Sequence, residues 1–150
     1  VAPIVAEVDR SKWPIAQAAG ASECVDPSVA TSARDLFKSV GGGVVAAIDF
    51  VGAAATFEFG FGVLRKGGKL VCVGLFGGAT PMMPAMVPLK AATIVGSYVG
   101  SLADMSALMS IARSGVLPPL PVQSRPLDQA MLALDDLRAG RVHGRTILKP

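Results

Sequence analysis

Two patterns of apolar positions alternate along this chain. Short, nearly continuous apolar runs predict strands over Ile4 to Glu7, Glu23 to Val25, Val44 to Phe50, Lys69 to Val73, Thr93 to Tyr98 and Thr146 to Leu148. Between them, spacing close to 3.6 residues predicts helices. The first runs from a Ser11 cap to a stop at Gly20, and the second over Thr31 to Val40 with Leu36, Phe37 and Val40 on one face. A third covers Ala54 to Leu64. A fourth opens on Ser101 and Asp104 as a capping box, carries Leu102, Met105, Leu108, Met109 and Ala112 as a stripe, and stops at Gly115. The last covers Leu127 to Ala139. Lys66-Gly67-Gly68 predicts a tight turn, Pro81 to Pro88 an irregular stretch with a short extended piece, and Pro118 to Pro126 extended chain. Strands that alternate with helices predict an α/β fold with right-handed crossovers and a parallel sheet.

Composition sharpens this picture. Of 150 residues, 51% are hydrophobic and 17% charged, and mean hydropathy is +0.53. That balance suits strands buried on both faces, or a piece of a larger protein. No apolar run approaches the ~18 residues of a membrane span, and no basic segment precedes an apolar one at the start. The net charge of +3 comes from scattered residues, with only Arg65-Lys66 adjacent, and aromatics are 5%. There is thus no basic stripe and no base-stacking surface, so a nucleic-acid partner is not expected. Cys24 and Cys72 lie far apart in apolar, strand-like contexts, which predicts buried reduced thiols, a reducing cytoplasmic compartment, and no zinc site within the chain. His143, the one histidine, sits in a polar turn and reads as a surface residue.

The candidate chemistry begins at the first strand. Its apolar run stops at Glu7, before the polar turn Val8-Asp9-Arg10-Ser11-Lys12. Ligands of parallel α/β sheets bind beyond the carboxyl ends of the strands, and an acid there can accept hydrogen bonds from the two hydroxyls of a ribose. Asp9 is the rival acid, with a helix-start role as its plainer use. No G-x-G-x-x-G is present. Gly60-Phe61-Gly62 lies inside a helical segment, Gly41 to Gly43 leads into a strand, and Gly74 to Gly78 follows a strand but precedes a proline-rich loop.

The stretches Glu7-Val8-Asp9-Arg10-Ser11-Lys12, Ile48-Asp49-Phe50-Val51-Gly52, Leu64 to Leu75, Ile94 to Gly100 and Gly144 to Pro150 together resemble, in order, the cofactor domain of zinc-type medium-chain alcohol dehydrogenases. The resemblance implies a Rossmann-type, doubly wound parallel sheet over 1–150. It is incomplete, because the family's catalytic domain, first strand and glycine-rich turn have no counterpart here. It also implies residue roles. Glu7 would hold the adenosine ribose, with Lys12 beside it; Phe50 and Val51 would flank adenine and its ribose; Val73, Gly74, Leu75 and Val99 would line the nicotinamide; Arg145 would meet the pyrophosphate. The implied cofactor is NAD, with NADP less favoured because Glu7 would repel the extra phosphate, although Arg10 could welcome it. Zinc is expected only in the missing domain. The implied partners are a small alcohol or aldehyde and a second copy of the chain, paired through edge strands around Pro84 to Leu89. The alternatives are a zinc-free NADPH-dependent quinone or enoyl reductase of the same superfamily, and a non-catalytic truncated fragment. In the order 3-2-1-4-5-6 the absent strand is central. The strands ending at Glu7 and Phe50 are therefore expected to lack a shared neighbour, a slot for a preceding segment or another chain.

Overall fold

The protein is described by a computed structural model covering residues 2–150. These residues divide into two compact units, the first ending at Val99 and the second spanning Gly100–Pro150. In the first, chain order is β1 (Ile4–Ala6), α1 (Trp13–Ala18), β2 (Glu23–Val25), α2 (Ser32–Ser39), β3 (Val44–Asp49), α3 (Ala54–Gly62), β4 (Leu64–Cys72), α4 (Met86–Lys90) and β5 (Thr93–Gly96). The second holds α5 (Leu102–Arg113), β6 (Val122–Pro126), α6 (Ala130–Arg138) and β7 (Arg145–Lys149). Every strand pairing is parallel: β1 with β2, β4 between β3 and β5, and β6 with β7. This is the α/β parallel architecture that the alternating pattern predicts. Among the described residues β1 pairs only with β2, and β3 only with β4, so each presents one open edge.

The core of the first unit is built where α3 lies on β3 and β4. Phe61, Leu64 and Leu70 are buried, with Val44, Ala47, Phe57, Cys72, Met82, Met86 and Ala92 packed around them. Gly60 explains itself here: a Cβ on it would stand 2.9 Å from a Leu70 methyl, so its bare backbone lets the helix settle onto the strand. The glycine pair inside this helix is therefore a packing feature. Met82 and Met86 reach this core, while Met83 remains exposed.

Several sequence expectations are corrected. Asp9, not Ser11, caps the first helical turn: its carboxylate accepts the Ser11 N–H at 3.0 Å and the Ser11 hydroxyl at 2.6 Å. A carboxylate is the stronger acceptor, and the hydroxyl becomes its donor. The third helix ends at Gly62, and Leu64 already pairs with Val44; a register shift before Ala46 absorbs the Lys66–Gly68 turn as an irregularity within β4. Pro84 to Leu89 is not an edge strand. Pro84 and Pro88 offer no N–H to a ladder; Pro84 stands before the Ala85 cap and Pro88 in the first helical turn, where a missing N–H is tolerated, so Met86–Lys90 winds into α4, which Ala91 closes in a left-handed conformation with φ 47. The edge of that sheet is β5. At the other end of the chain, β6 occupies only the last part of the extended Pro118–Pro126 stretch.

Candidate functional site at the strand ends

The carboxyl ends of β3 and β4 are fastened together by backbone. The N–H groups of Val73 and Gly74 both donate to the Asp49 carbonyl, at 2.9 and 3.0 Å, and those of Phe76 and Gly77 donate to the carbonyls of Val51 and Gly52. The two chains approach so closely that a Cβ on Gly74 would collide with the Val51 carbonyl, and one on Gly52 with the Gly74 carbonyl. Gly52 also has φ +73. Only glycine satisfies both demands. Of the expected site residues, Val51, Val73, Gly74 and Leu75 are thus brought together at this junction. Phe50, Val51, Leu75 and Val99 are exposed there and beyond β5, at 74, 49, 80 and 81%.

Asp49 is the group that the site assignment from sequence missed. It is buried, and its Oδ1 accepts the N–H groups of Val51 and Gly52, each at 2.9 Å, while Oδ2 faces the Thr56 hydroxyl at 3.0 Å. This carboxylate shapes the turn from β3 into α3. The signal was available: an acid inside an apolar run, with a glycine and a threonine within seven positions. Asp49 also lines a cleft of about 190 Å³ with Gly52, Ala53, Phe57, Cys72, Gly74 and Thr80. Burial, and secondarily the charge of Asp49, push the Cys72 thiol above its ordinary range, so it stays protonated.

Glu7 follows the end of β1 and is half-buried. Its N–H donates to the Val25 carbonyl, and its own carbonyl accepts the Trp13 indole N–H at 2.9 Å. Carboxylate Oε1 accepts the Asp9 N–H at 2.8 Å, and Oε2 has no donor among the described residues. Lys12 pairs with Asp9, Nζ to Oδ2 3.6 Å. Hydrogen bonds from Ser11, aided by Lys12, hold the Asp9 carboxyl below its usual range. Asp9 is therefore engaged in the helix start, and Glu7 keeps a free oxygen. Val99 carries φ 47, a strained conformation for a β-branched residue. Arg145, in the second unit, opens β7; its N–H donates to the Pro121 carbonyl and its guanidinium to the Gly144 carbonyl at 3.0 Å. His143 is exposed.

Among the described residues no three His, Cys, Asp or Glu side chains converge to hold a metal ion, and no helix is long and apolar enough to cross a membrane. The residues present do not fit a zinc centre.

Parallel strands joined by helices, with glycine-lined junctions at their carboxyl ends, place the chain among Rossmann-like α/β nucleotide-binding folds. The sequence narrows this further: the zinc-binding dehydrogenase family matches residues 1–114, and the chain belongs to that family. It is 31% identical over 136 residues to an NAD-dependent alcohol dehydrogenase of Sulfurisphaera tokodaii, covering 90% of this chain and 39% of the relative. Against the crystal structure of the alcohol dehydrogenase of the archaeon Aeropyrum pernix the TM-score is 0.88 at 30% identity, over 98% of this chain and 42% of that one. It is also 31% identical over 109 residues to a D-arabinose 1-dehydrogenase (NADP(+)) of Saccharolobus solfataricus, covering 72% of this chain and 31% of the relative. The chain spans about two fifths of the length of the first two.

Proposed function

We propose that this chain is the cofactor-binding portion of an NAD-dependent alcohol dehydrogenase. The observation that carries the reading is the half-buried Glu7 carboxylate beyond β1, with one oxygen already fixed by the Asp9 N–H and the other free to accept a ribose hydroxyl. Phe50 and Val51 would flank the adenosine. Val73, Gly74, Leu75 and Val99 would line the nicotinamide, and backbone groups there would receive its carboxamide; the strain at Val99 fits a residue held for contact rather than for folding. Lys12 would lie beside the ribose and Arg145 would pair with the pyrophosphate as a bidentate donor. NAD, when bound, would supply a hydride acceptor for an alcohol carbon; this chain would bind and orient the nicotinamide and shield one ring face with apolar side chains. Ligands for zinc would come from a portion of the enzyme outside these residues, as would most of the alcohol pocket. The open edges of β1 and β3 would receive a strand of that portion. We assign a cytoplasmic location and a homo-oligomeric state on the same footing.

The charge at Glu7 favours NAD. A hydrogen bond from a hydroxyl to a carboxylate contributes ~1.5–3 kcal/mol, a factor of roughly ten or more against a phosphorylated ribose. Titration with NADH, followed by nicotinamide fluorescence, tests the proposal: saturable binding is expected, and its absence favours an inert fragment. Glu7→Ala should abolish the preference for NADH over NADPH; an unchanged ratio refutes the role of Glu7. A second reading, an NADP-linked enzyme, is favoured by one observation: Arg10 in the same loop, in a chain with an NADP-linked relative.

A further inference from the structure

We propose that Asp26 and Trp13 together hold the Arg10 guanidinium away from the ribose, and that this clamp, not Glu7 alone, sets the discrimination against a 2′-phosphate. The inference rests on the reading of Glu7 as the ribose acid.

Arg10 lies three residues after Glu7, in the loop where a phosphate-accepting arginine would stand. Its Nη2 is 3.5 Å from Asp26 Oδ2, and its guanidinium carbon is 5.3 Å from the centre of the Trp13 ring. Both partners are themselves fixed. The Trp13 indole N–H donates to the Glu7 carbonyl at 2.9 Å, so the surface on which Arg10 rests is tied to the ribose acid itself. Asp26, just past β2, spends Oδ1 on the N–H and hydroxyl of Ser28, which leaves Oδ2 facing Arg10. The Asp26 side chain is only 15% exposed, while that of Arg10 is 69% exposed. The anion is therefore the rigid member and the cation the movable one. Hydrogen bonds from Ser28, and then Arg10, hold the Asp26 carboxyl below its ordinary range. Glu23 and Asp35 line the same cleft as Arg10 and Asp26, so acids there outnumber the one base. An arginine so neutralised offers a phosphate dianion no net charge. Because the pair is exposed on the arginine side, its strength is that of a surface ion pair, and removing Asp26 should release Arg10 without disturbing the fold.

The test uses the 150-residue chain and two probes, NADH and NADPH, titrated by nicotinamide fluorescence. Asp26→Asn keeps the acceptor for Ser28 and removes the charge. It should tighten NADPH about three- to fivefold, the span of one surface ion pair, and leave NADH within about twofold. Adding Arg10→Ala to Asp26→Asn should erase the gain, and Trp13→Phe, which loses the indole N–H, should reproduce part of it. A gain that survives without Arg10 overturns the clamp in favour of simple repulsion by Asp26. An unchanged ratio with NADH still bound overturns it outright and leaves the cofactor reading standing. Failure of the unsubstituted chain to bind either nucleotide removes both. Circular dichroism on each variant, with Ser28→Ala as a charge-neutral change at the same turn, separates loss of fold from loss of selectivity.

Discussion

At Gly74 a single hydrogen atom separates a tight junction from a collision. Its missing side chain lets the Val51 carbonyl pass, and the same contact recurs in reverse from Gly52. Gly74→Ala should therefore force the ends of β3 and β4 apart and cost about 1–3 kcal/mol, the usual penalty of overpacking, read as a fall in the denaturation midpoint. Asp49 acts through acceptors rather than through space. Asp49→Ala leaves the buried N–H groups of Val51 and Gly52 without partners, at about 1–3 kcal/mol for an unsatisfied group. Asp49→Asn keeps one acceptor oxygen and should lose less. A ranking of Ala above Asn in the denaturant midpoint would contradict this account.

Among the elements, α3 depends on a residue remote in sequence. Lys90, from the end of α4, donates to the carbonyls of Phe61, Gly62 and Leu64 at 2.7, 2.9 and 3.2 Å and lies 5.0 Å from the centre of the Phe61 ring. It adds side-chain donors at the carboxyl end of the helix, where the Val63 N–H already reaches back to the Phe59 carbonyl. Lys90→Met should retain the packing of the stem, lose the donors, and lower stability by about 1 kcal/mol. Nothing in the local pattern around Lys90 announces this role, because a cap supplied from 28 residues away leaves no spacing to read. The strands were legible for the opposite reason. Val44 to Phe50 and Lys69 to Val73 are short, largely apolar runs that each follow a glycine, and all but the last residue of each lies in the strands β3 and β4 of the parallel ladder that such runs predict. Proline-rich Pro81 to Pro88 misled because the same residues suit an extended edge and a first helical turn, and only contact with the core decided between them. At the site, Glu7 could be read from the abrupt end of a strand, whereas the Gly52–Gly74 contact could not, since it joins two crossovers whose register the sequence does not state. Open strand edges make a further expectation: in hydrogen exchange, the outward-facing amides of β1 and β3 should exchange faster than those of β4, which is paired on both sides. Equal protection in all three would contradict the pairing described.

For the molecule as a whole, titration sets the working range. Asp104 is held below its ordinary value by the backbone and hydroxyl of Ser101, and Asp136 by Arg125 and Arg141. A carboxyl whose folded value lies below its unfolded one stabilises the protein above that unfolded value, 3.8, and ceases to do so as pH falls through the folded value. Cys72 runs the other way. Its folded value lies above 9.0, so its contribution is complete below that pH and declines as the unfolded thiol ionises. Thermal midpoints should be level between these limits and fall on both sides, and Cys72→Ser should soften the alkaline arm. Among the described residues of the first unit the pair β1–β2 and the sheet β3–β4–β5 share no ladder; α2, which follows β2, packs on α3, which lies on β3 and β4. Side chains on two helices carry less cooperativity than a continuous row of backbone hydrogen bonds. Heating should therefore release the β1–β2 region first, and calorimetry should record two transitions in place of one, with the earlier one carrying Glu7 away from its fixed turn.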